Sequence, residues 1–467
     1  MTSFHRRCPL LRTTGNATVA PLQPQAAATV SCPQADTLPD DPRSHLLNRN
    51  IRLLLGTVGL LSGSLFGSYA VLMNLFLLRL GFGPAFIGLV NGIGMLCWAI
   101  AAPFAGASAK RFGYRRLMLV GLGSVFVGSS LLPFGASFSG DVRAVWLVTA
   151  YSFAAAGAGT YFANWSPFIM GAVAPRLRSR AFALAMATFP TAGFAGSLIG
   201  GFLPGLFGGL VGVGLNDPAA YRYALHLAGF VVLPSILLVA ATTEVKTVRR
   251  DSKSGDHSRT PFFAIAVMTV LGILLAFGEG SVRIFFNTYM DGFNVDTATI
   301  GMTFALSQLF VGPLALLSPL ISGRVGTGRT VFVATVGIAT SLVGMALIAS
   351  PAAAVTGLII VFAFGSLMRP ALSLHQMELV RPEFWGLMSG FVTLSWGLGS
   401  GSTALIGGVL VSSFGYDSLF LVGATISGLA AILFGLFLIV HRTPLPDGDR
   451  HTHTAAAAVE PPAGPVG

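Results

Sequence analysis

The sequence contains few charged residues. Lys, Arg, Asp and Glu make up 10% of its 467 residues, and 53% of the residues are hydrophobic. About a quarter of a soluble globular chain is charged, and the mean hydropathy here is +0.76. This composition excludes an ordinary soluble domain. The net charge of +11 does not point to nucleic acid, because most of the Lys and Arg residues lie in polar segments between long apolar runs; we expect no nucleic-acid partner.

Cysteine and catalytic motifs are also scarce. The three cysteines, Cys8, Cys32 and Cys97, cannot form a disulfide framework. The sequence contains no HExxH, GxSxG or paired CxxC pattern and no GxxxxGK[ST] phosphate loop. We therefore expect no enzyme, no cofactor and no metal site. Without an ATP-binding loop, any work would draw on an ion gradient or on a solute gradient.

Long apolar runs are abundant. Runs of about 20 residues recur from Ile51 to Val440, and each can cross a hydrocarbon core of roughly 30 Å. In lipid every backbone polar group needs an internal partner, so such runs must be helical. We predict an all-α membrane protein, embedded in a lipid bilayer, with about twelve transmembrane helices at 51–80, 84–108, 116–138, 144–173, 181–210, 221–243, 262–290, 297–322, 329–349, 352–380, 384–412 and 417–441.

The polar segments divide the chain into two halves. The longest internal one, 244–261, is predicted to be a cytoplasmic linker between a six-helix half at 50–243 and a second at 262–442. Residues 1–49 lack a continuous apolar core, so no cleavable signal peptide is predicted. We expect 1–49 and 443–467 to be disordered cytoplasmic tails.

The distribution of Lys and Arg predicts the orientation. With the N-terminus inside, the outer loops contain only Arg79, Arg143 and Arg222. The cytoplasmic loops then contain Lys110, Arg111, Arg115, Arg116, Arg176, Arg178, Arg180, Lys246, Arg249, Arg250, Lys253, Arg259, Arg324, Arg329 and Arg381. Because cytoplasmic loops carry the excess of positive charge, we expect a multi-pass protein of a bacterial inner membrane with both termini in the cytoplasm.

The two halves repeat each other in sequence. At an offset of 213 residues, Gly59 aligns with Gly272 and Asn74 with Asn287. After a six-residue slip the offset is 207, and Leu198–Leu203 (LIGGFL) aligns with Leu405–Leu410 (LIGGVL). Two halves that cross the membrane in the same sense form a parallel repeat about an axis along the membrane normal, as in many transporters.

The loop between helices 2 and 3 carries a family resemblance. Its sequence, Gly106-Ala-Ser-Ala-Lys110-Arg111-Phe-Gly113-Tyr-Arg115-Arg116, resembles the loop signature of the major facilitator superfamily, except that Lys110 replaces an Asp. The resemblance implies two pseudo-symmetric six-helix halves, transport by alternating access, and a loop that helps to latch the halves. Because Lys110 reverses the charge, we expect other latch partners, such as Glu378 or Glu383. The alternative is that these cations only anchor the loop inside.

Small residues recur in helices 5 and 11. Gly196-Ser197-Leu-Ile-Gly200-Gly201 resembles the antiporter signature of the same family, with Ser197 in place of Pro. The alternative, which we favour, is that small residues let helices approach closely. We expect Gly200-Gly201 and Gly407-Gly408 to lie at such contacts, in the cytoplasmic or middle part of their helices.

Charged residues inside predicted helices are candidates for function, because charge is expensive in a membrane. Glu279, Arg283 and Asn287 share one face of helix 7, and Arg369 and Gln376 lie on helix 10. The resemblance implies that helices 1, 4, 7 and 10 line a central cavity. We therefore predict proton coupling at Glu279, and solute binding by Arg283, Arg369, Asn287, Asn74, Asn164 and Gln376.

Structural alternatives exist for several of these residues. Glu279 and Arg283 could form a pair that only neutralises helix 7. Arg369 could bond to backbone carbonyls around Pro370, and Asn74 and Asn287 could hold helices together.

The sequence therefore predicts a monomeric secondary active transporter for a small organic solute, coupled to an ion gradient and most simply to protons. One negative and two positive side chains favour an anionic or zwitterionic solute. Alternatives are an efflux antiporter that exports a drug or metabolite, and a transporter-like receptor or scaffold. A membrane-embedded enzyme would need a cluster of His or Asp at one membrane face, which the sequence lacks.

The predicted topology can be tested with reporter fusions. Fusions after residues 113, 178, 255, 326 and 382 should report a cytoplasmic location, and fusions near 82, 140, 216, 293 and 416 an external one. The physical reason is the placement of Lys and Arg. Two or more reversed sites within one half would contradict the twelve-helix assignment.

Overall fold

The computed structural model describes residues 46–174, 177–244, 262–380 and 384–440. Within these ranges every regular element is helical. Twelve membrane-length segments, which we number α1 to α12, are Arg49–Arg79, Pro84–Phe112, Tyr114–Ser137, Gly140–Ala172, Arg178–Val211, Pro218–Ala240, Phe262–Gly292, Thr297–Val325, Thr327–Leu347, Pro351–Glu378, Trp385–Phe414 and Tyr416–Val440.

Within the described part of the chain, eleven of these segments are long and apolar enough to cross a membrane. The exception is α4, which has 33 residues but contains Thr149, Tyr151, Thr160 and Tyr161 among many Ala and Gly residues. These residues lower the mean hydropathy of α4 but are compatible with a helix. In the structure α4 packs between α2 and α3. The prediction of an all-α membrane protein with about twelve helices is confirmed.

Three segments depart from regular α-helix. The end of α3, Leu132–Ser137, is a 3₁₀ helix. In α1 the stretch Ser62–Tyr69 is π-helical. In α6 the helix is interrupted at Val231–Val232, between Pro218–Phe230 and Leu233–Ala240. Pro234 follows this break and explains it, because proline has no N–H and its ring clashes with the carbonyl four residues earlier.

Glycine forms the tight turns after α2 and α8. Gly113 has φ +84° and Gly326 has φ +99°, values that side chains with a Cβ rarely adopt. The two residues are related by the 213-residue offset of the sequence repeat. The repeat is therefore present in backbone conformation as well as in residue identity.

The helices form two halves with the same packing order. In the first half α1 packs on α5 and α6, while α4 packs on α2 and α3. In the second half α7 packs on α11 and α12, while α10 packs on α8 and α9. The halves meet where α2 contacts α11 and where α5 contacts α8. Helix numbers that differ by six occupy equivalent places, as a parallel repeat requires.

Glycine pairs form the closest contacts between the halves. A Cβ on Gly408 would lie 2.8 Å from the Pro84 carbonyl oxygen and 3.0 Å from Gly88 Cα. In the other interface, a Cβ on Gly201 would lie 2.9 Å from Gly301 Cα. The 213- and 207-residue offsets relate one pair to the other. Only residues without a side chain allow backbones this close.

These contacts lie near the end of the bundle that carries the turn between α1 and α2, which we call the α1–α2 end. The sequence predicts Gly200-Gly201 and Gly407-Gly408 in the cytoplasmic or middle part of helices 5 and 11. Gly201 and Gly408 instead lie in the last third of α5 and α11, at the end that the predicted orientation places outside. The physical reason is that Gly301 and Gly88 are both in the second turn of helices that begin at the α1–α2 end.

Polar contacts also join the halves at the α1–α2 end. Asn74 Nδ2 donates to the Ile284 carbonyl (2.7 Å), and Asn287 Nδ2 donates to the Val71 carbonyl (2.9 Å). The 213-residue offset exchanges these two bonds, so they form a reciprocal pair about the pseudo-two-fold axis.

An ion pair adds to this closure. Arg79 at the end of α1 forms a bidentate pair with Asp291 of α7, with nitrogen–oxygen distances of 2.9 and 2.6 Å. The described polar contacts between α1 and α7 therefore close the α1–α2 end.

The predicted division at residues 50–243 and 262–442 is compatible with this arrangement and stays a prediction. The predicted tails (1–49 and 443–467) and the predicted linker (244–261) lie mostly outside the described residues; of them only 46–49 and 244 are described, and α1 already begins at Arg49.

The glycine contact can be tested by overpacking. Gly201→Leu should destabilise the protein by about 1–3 kcal/mol or more, because the added side chain meets the α8 backbone. The measurement is the thermal unfolding midpoint of purified protein in detergent. Gly205→Leu is the matched control on the same helix, since a Cβ there meets no atom within 4 Å. An equal midpoint for the two variants would contradict the close contact.

Candidate functional site

The candidate site begins with a carboxylate in the middle of α7. Glu279 and Arg283 are four residues apart, which places them on one helix face. An Arg283 guanidinium nitrogen lies 3.1 Å from Glu279 Oε1. The Glu279 side chain is only 3% exposed, so its charge needs a partner inside the protein.

A second guanidinium reaches the same carboxylate from α10. Arg369 donates to Glu279 Oε1, the oxygen that also contacts Arg283. Arg369 precedes Pro370, which removes one backbone hydrogen bond from α10. The alternative prediction is that Arg369 bonds to backbone carbonyls around Pro370. In the structure, the described partner of the Arg369 side chain is instead the Glu279 carboxylate.

Aromatic rings support both guanidiniums. Arg283 Cζ lies 5.0 Å from the centroid of the Phe362 ring, and Arg369 Cζ lies 4.9 Å from that of Trp396. A cation over a ring face is stabilised by the ring quadrupole, more so when water is partly excluded. The rings therefore hold the two cations in place beside Glu279.

The site presents positive charge to a solvent-accessible space. The side chains of Arg283 and Arg369 are 40% and 45% exposed, whereas Glu279 lies behind them. One carboxylate and two guanidiniums sum to one positive charge. Such an arrangement can bind one anionic group.

The Glu279 carboxylate is not saturated by its partners. Among the described atoms, Oε2 is buried without a hydrogen-bond partner. A Cβ on Gly365 would lie 3.4 Å from this oxygen, so the glycine leaves room for it beside α10. Because no donor contacts Oε2, a proton can bind this oxygen without displacing an existing hydrogen bond.

The predicted asparagine ligands donate to backbone carbonyls in the structure. Asn74 and Asn287 bond to backbone carbonyls of the other half, and Asn91 Nδ2 donates to Asn74 Oδ1 at 3.0 Å. Asn164 is buried, and its amide nitrogen donates to the Thr160 carbonyl of its own helix. Gln376 is buried as well. The structure thus brings together Glu279, Arg283 and Arg369; solute binding by these residues and by the amide side chains stays a prediction.

The predicted gating loop makes its described contacts with α6, with Glu244 shortly after α6, and within the loop itself. The Arg115 N–H donates to Glu244 Oε1 (3.3 Å), and its guanidinium donates to the Ala240 carbonyl. Arg111 lies over the ring of Phe112. Gly106 and Arg116 face outward, and the Lys110 side chain is outside the described part. Glu378 instead contacts Thr327 and His375, and Glu383 is not among the described residues.

The first half contributes an aromatic cluster that sequence reasoning missed. Phe66 of α1, Trp98 of α2, Phe162 of α4 and Phe189 of α5 contact one another, with ring centroids 4.9–6.3 Å apart. A signal was available in the repeat. The 213-residue offset pairs Phe66 with Glu279, and the 207-residue offset pairs Phe162 with Arg369 and Phe189 with Trp396.

One protein family matches most of the chain. The sequence profile described as Major Facilitator Superfamily matches residues 55–383, well over half of the chain. A search of the curated proteins gave no match.

Solved structures share the fold. The match to the nucleoside transporter NupG has a TM-score of 0.65 and 14% identity, and covers 83% of this chain and 99% of that one. The match to a D-xylose–proton symporter has a TM-score of 0.66 and 12% identity, and covers 83% of this chain and 96% of that one. The match to the xylose transporter XylE from E. coli, in an inward-open conformation, has a TM-score of 0.63 and 13% identity, and covers 87% of this chain and 98% of that one.

Proposed function

The chain belongs to the major facilitator superfamily, and we propose that it is a proton-coupled secondary active transporter for a small organic anion or zwitterion. The observation that carries this proposal is the site formed by Glu279, Arg283 and Arg369. Buried charges in membrane helices are costly and are retained where they act on a solute or an ion. Two partly exposed guanidiniums beside one buried carboxylate suit an anionic group.

The arrangement of the two halves supports transport by alternating access. The Gly88·Gly408 and Gly201·Gly301 contacts and the Arg79–Asp291 pair close the α1–α2 end. The distribution of Lys and Arg supports assigning this end to the outside, with both termini in the cytoplasm of a bacterial inner membrane. With this assignment, the space between the halves opens toward the cytoplasm. Asn74 and Asn287 then hold the closed outer end together. Transport requires these contacts to break while contacts at the cytoplasmic end form. A single chain contains both halves and can work as a monomer.

Proton coupling at Glu279 has a simple physical basis. While both guanidiniums contact the carboxylate, its charge is compensated. When an anionic solute binds Arg283 and Arg369, the compensation of the buried Glu279 charge weakens, and a proton can take its place. Solute binding then favours proton binding, and by reciprocity proton binding favours solute binding. This linkage describes uptake with protons; an exporter would instead show competition between them.

The test is transport into vesicles that contain the purified protein. A panel of organic acids and amino acids is added under an imposed pH gradient, and an internal pH-sensitive dye reports proton movement. Glu279→Gln should abolish uphill, pH-driven accumulation, because it removes the titrating group. It should retain solute exchange down a concentration gradient, since the shape and most hydrogen bonds remain. Asp141→Asn, at the exposed start of α4, is the matched control and should retain accumulation.

A structural role for the ion pairs makes a different prediction. If Glu279 and Arg283 only neutralise α7, the double variant Glu279→Gln, Arg283→Gln should recover full coupled accumulation. That recovery would contradict coupling at Glu279. Proton release on solute entry, in place of proton entry, would show that the linkage runs toward export.

A further inference from the structure

The aromatic cluster of Phe66, Trp98, Phe162 and Phe189 occupies the position in the first half that the ionic site occupies in the second. Its members Phe66, Phe162 and Phe189 are the repeat mates of Glu279, Arg369 and Trp396. The 207-residue offset holds structurally along α4 and α10. Gly128 packs against the Ala150 carbonyl, and Ser341 donates a hydrogen bond to the Gly357 carbonyl (3.2 Å). The 213-residue offset relates Gly128 to Ser341, and the 207-residue offset relates Ala150 to Gly357.

A rotation about the pseudo-two-fold axis keeps depth in the membrane. Residues that line the central space in one half therefore have mates at the same depth facing the same space. Arg369 is 45% exposed and reaches Glu279 of α7, and from the repeat we infer that its mate Phe162 also faces the space between the halves. The aromatic cluster is thus the wall opposite the two guanidiniums.

Contacts between the halves flank this wall on both sides. Trp98 precedes Ala99, whose Cα lies 3.2 Å from a Cβ built on Gly397, the residue after Trp396. Phe189 precedes Pro190, which packs against Gly312 of α8. The cluster therefore lies between the two interfaces and beside the ring that supports Arg369.

The cluster differs from an ordinary apolar core. Its four rings are only partly buried, whereas neighbouring core rings such as Tyr161 and Phe168 are fully buried. In the described helices of the first half, the charged residues lie at the helix ends. The aromatic cluster therefore has no charged side chain of its own half beside it in the middle of these helices. Rings left partly open at mid-membrane, opposite two cations, offer faces and edges for another flat group.

We propose that the transported solute is an amphipathic organic anion in which one anionic group is joined to a planar aromatic group. This inference rests on the proposed transport function and names the substrate class. The anionic group contacts Arg283 and Arg369 on the second half. The aromatic group packs among Phe66, Phe162 and their neighbours on the first half. A solute of this kind bridges the two halves and favours their approach around it, which alternating access requires.

The test is binding to the full chain in lipid nanodiscs, measured by calorimetric titration. The probes are 2-naphthoate, octanoate, gluconate and 2-naphthylmethanol, which separate the aromatic, flexible apolar, polar anionic and neutral cases. We expect 2-naphthoate to bind at least about tenfold more tightly than the other three, because only it satisfies both walls.

Variants separate the two walls. Phe66→Leu and Phe162→Leu keep apolar volume but remove a ring, and each should weaken 2-naphthoate binding about three- to tenfold. Phe126→Leu removes a ring that contacts Phe230 between α3 and α6 and should leave the affinity unchanged. Arg369→Gln should abolish the preference for 2-naphthoate over 2-naphthylmethanol.

The outcomes distinguish this inference from the proposed function. If gluconate or octanoate binds as tightly as 2-naphthoate and the binding depends on Arg369, the aromatic inference is overturned and the anion proposal stands. Equal binding of 2-naphthylmethanol and 2-naphthoate, insensitive to Arg369→Gln, would overturn both. Binding of none of the four probes would also contradict both. An unchanged affinity in Phe66→Leu and Phe162→Leu would overturn the aromatic wall alone.

Discussion

The carboxylate of Glu279 imposes the main constraint on this structure. A buried charge at mid-membrane must be compensated, and it is compensated by a guanidinium of its own helix and by one from α10. The Arg369–Glu279 pair joins α10 to α7, whereas the Arg283–Glu279 pair lies within α7, and together they leave the site with one excess positive charge. The proposed solute binding and proton coupling both follow from competition for these two cations.

The pseudo-two-fold repeat explains how the halves meet and why they differ. Equivalent glycine pairs, Gly88·Gly408 and Gly201·Gly301, provide two close contacts between the halves at equal depth. Asn74 and Asn287 contribute reciprocal bonds at the same end. Between these symmetric contacts the two halves have different chemistry. One presents rings and the other presents cations, so a solute with two unlike ends can contact both.

Most of the fold could be predicted from the sequence, because helix length and hydropathy are local properties and the repeat is visible by alignment. The Glu279–Arg283 pair also followed from helical spacing. The Arg369–Glu279 pair did not, since its partners are 90 residues apart and depend on how α7 and α10 pack. Asn74 and Asn287 were recognised as mates, but their backbone partners depend on the closed state of one end. The aromatic cluster was missed because 36 Phe residues make any single one uninformative.

The central claim is that solute binding displaces the guanidiniums from Glu279 and that this carboxylate then takes up a proton. Infrared difference spectroscopy on the protein in nanodiscs, with 2-naphthoate labelled with ¹³C in its own carboxylate, measures this directly. The account requires that ligand addition removes an unlabelled carboxylate band and produces a protonated carboxyl band, and that both changes are absent in Glu279→Gln. Ligand binding that leaves the Glu279 carboxylate band unchanged would contradict it.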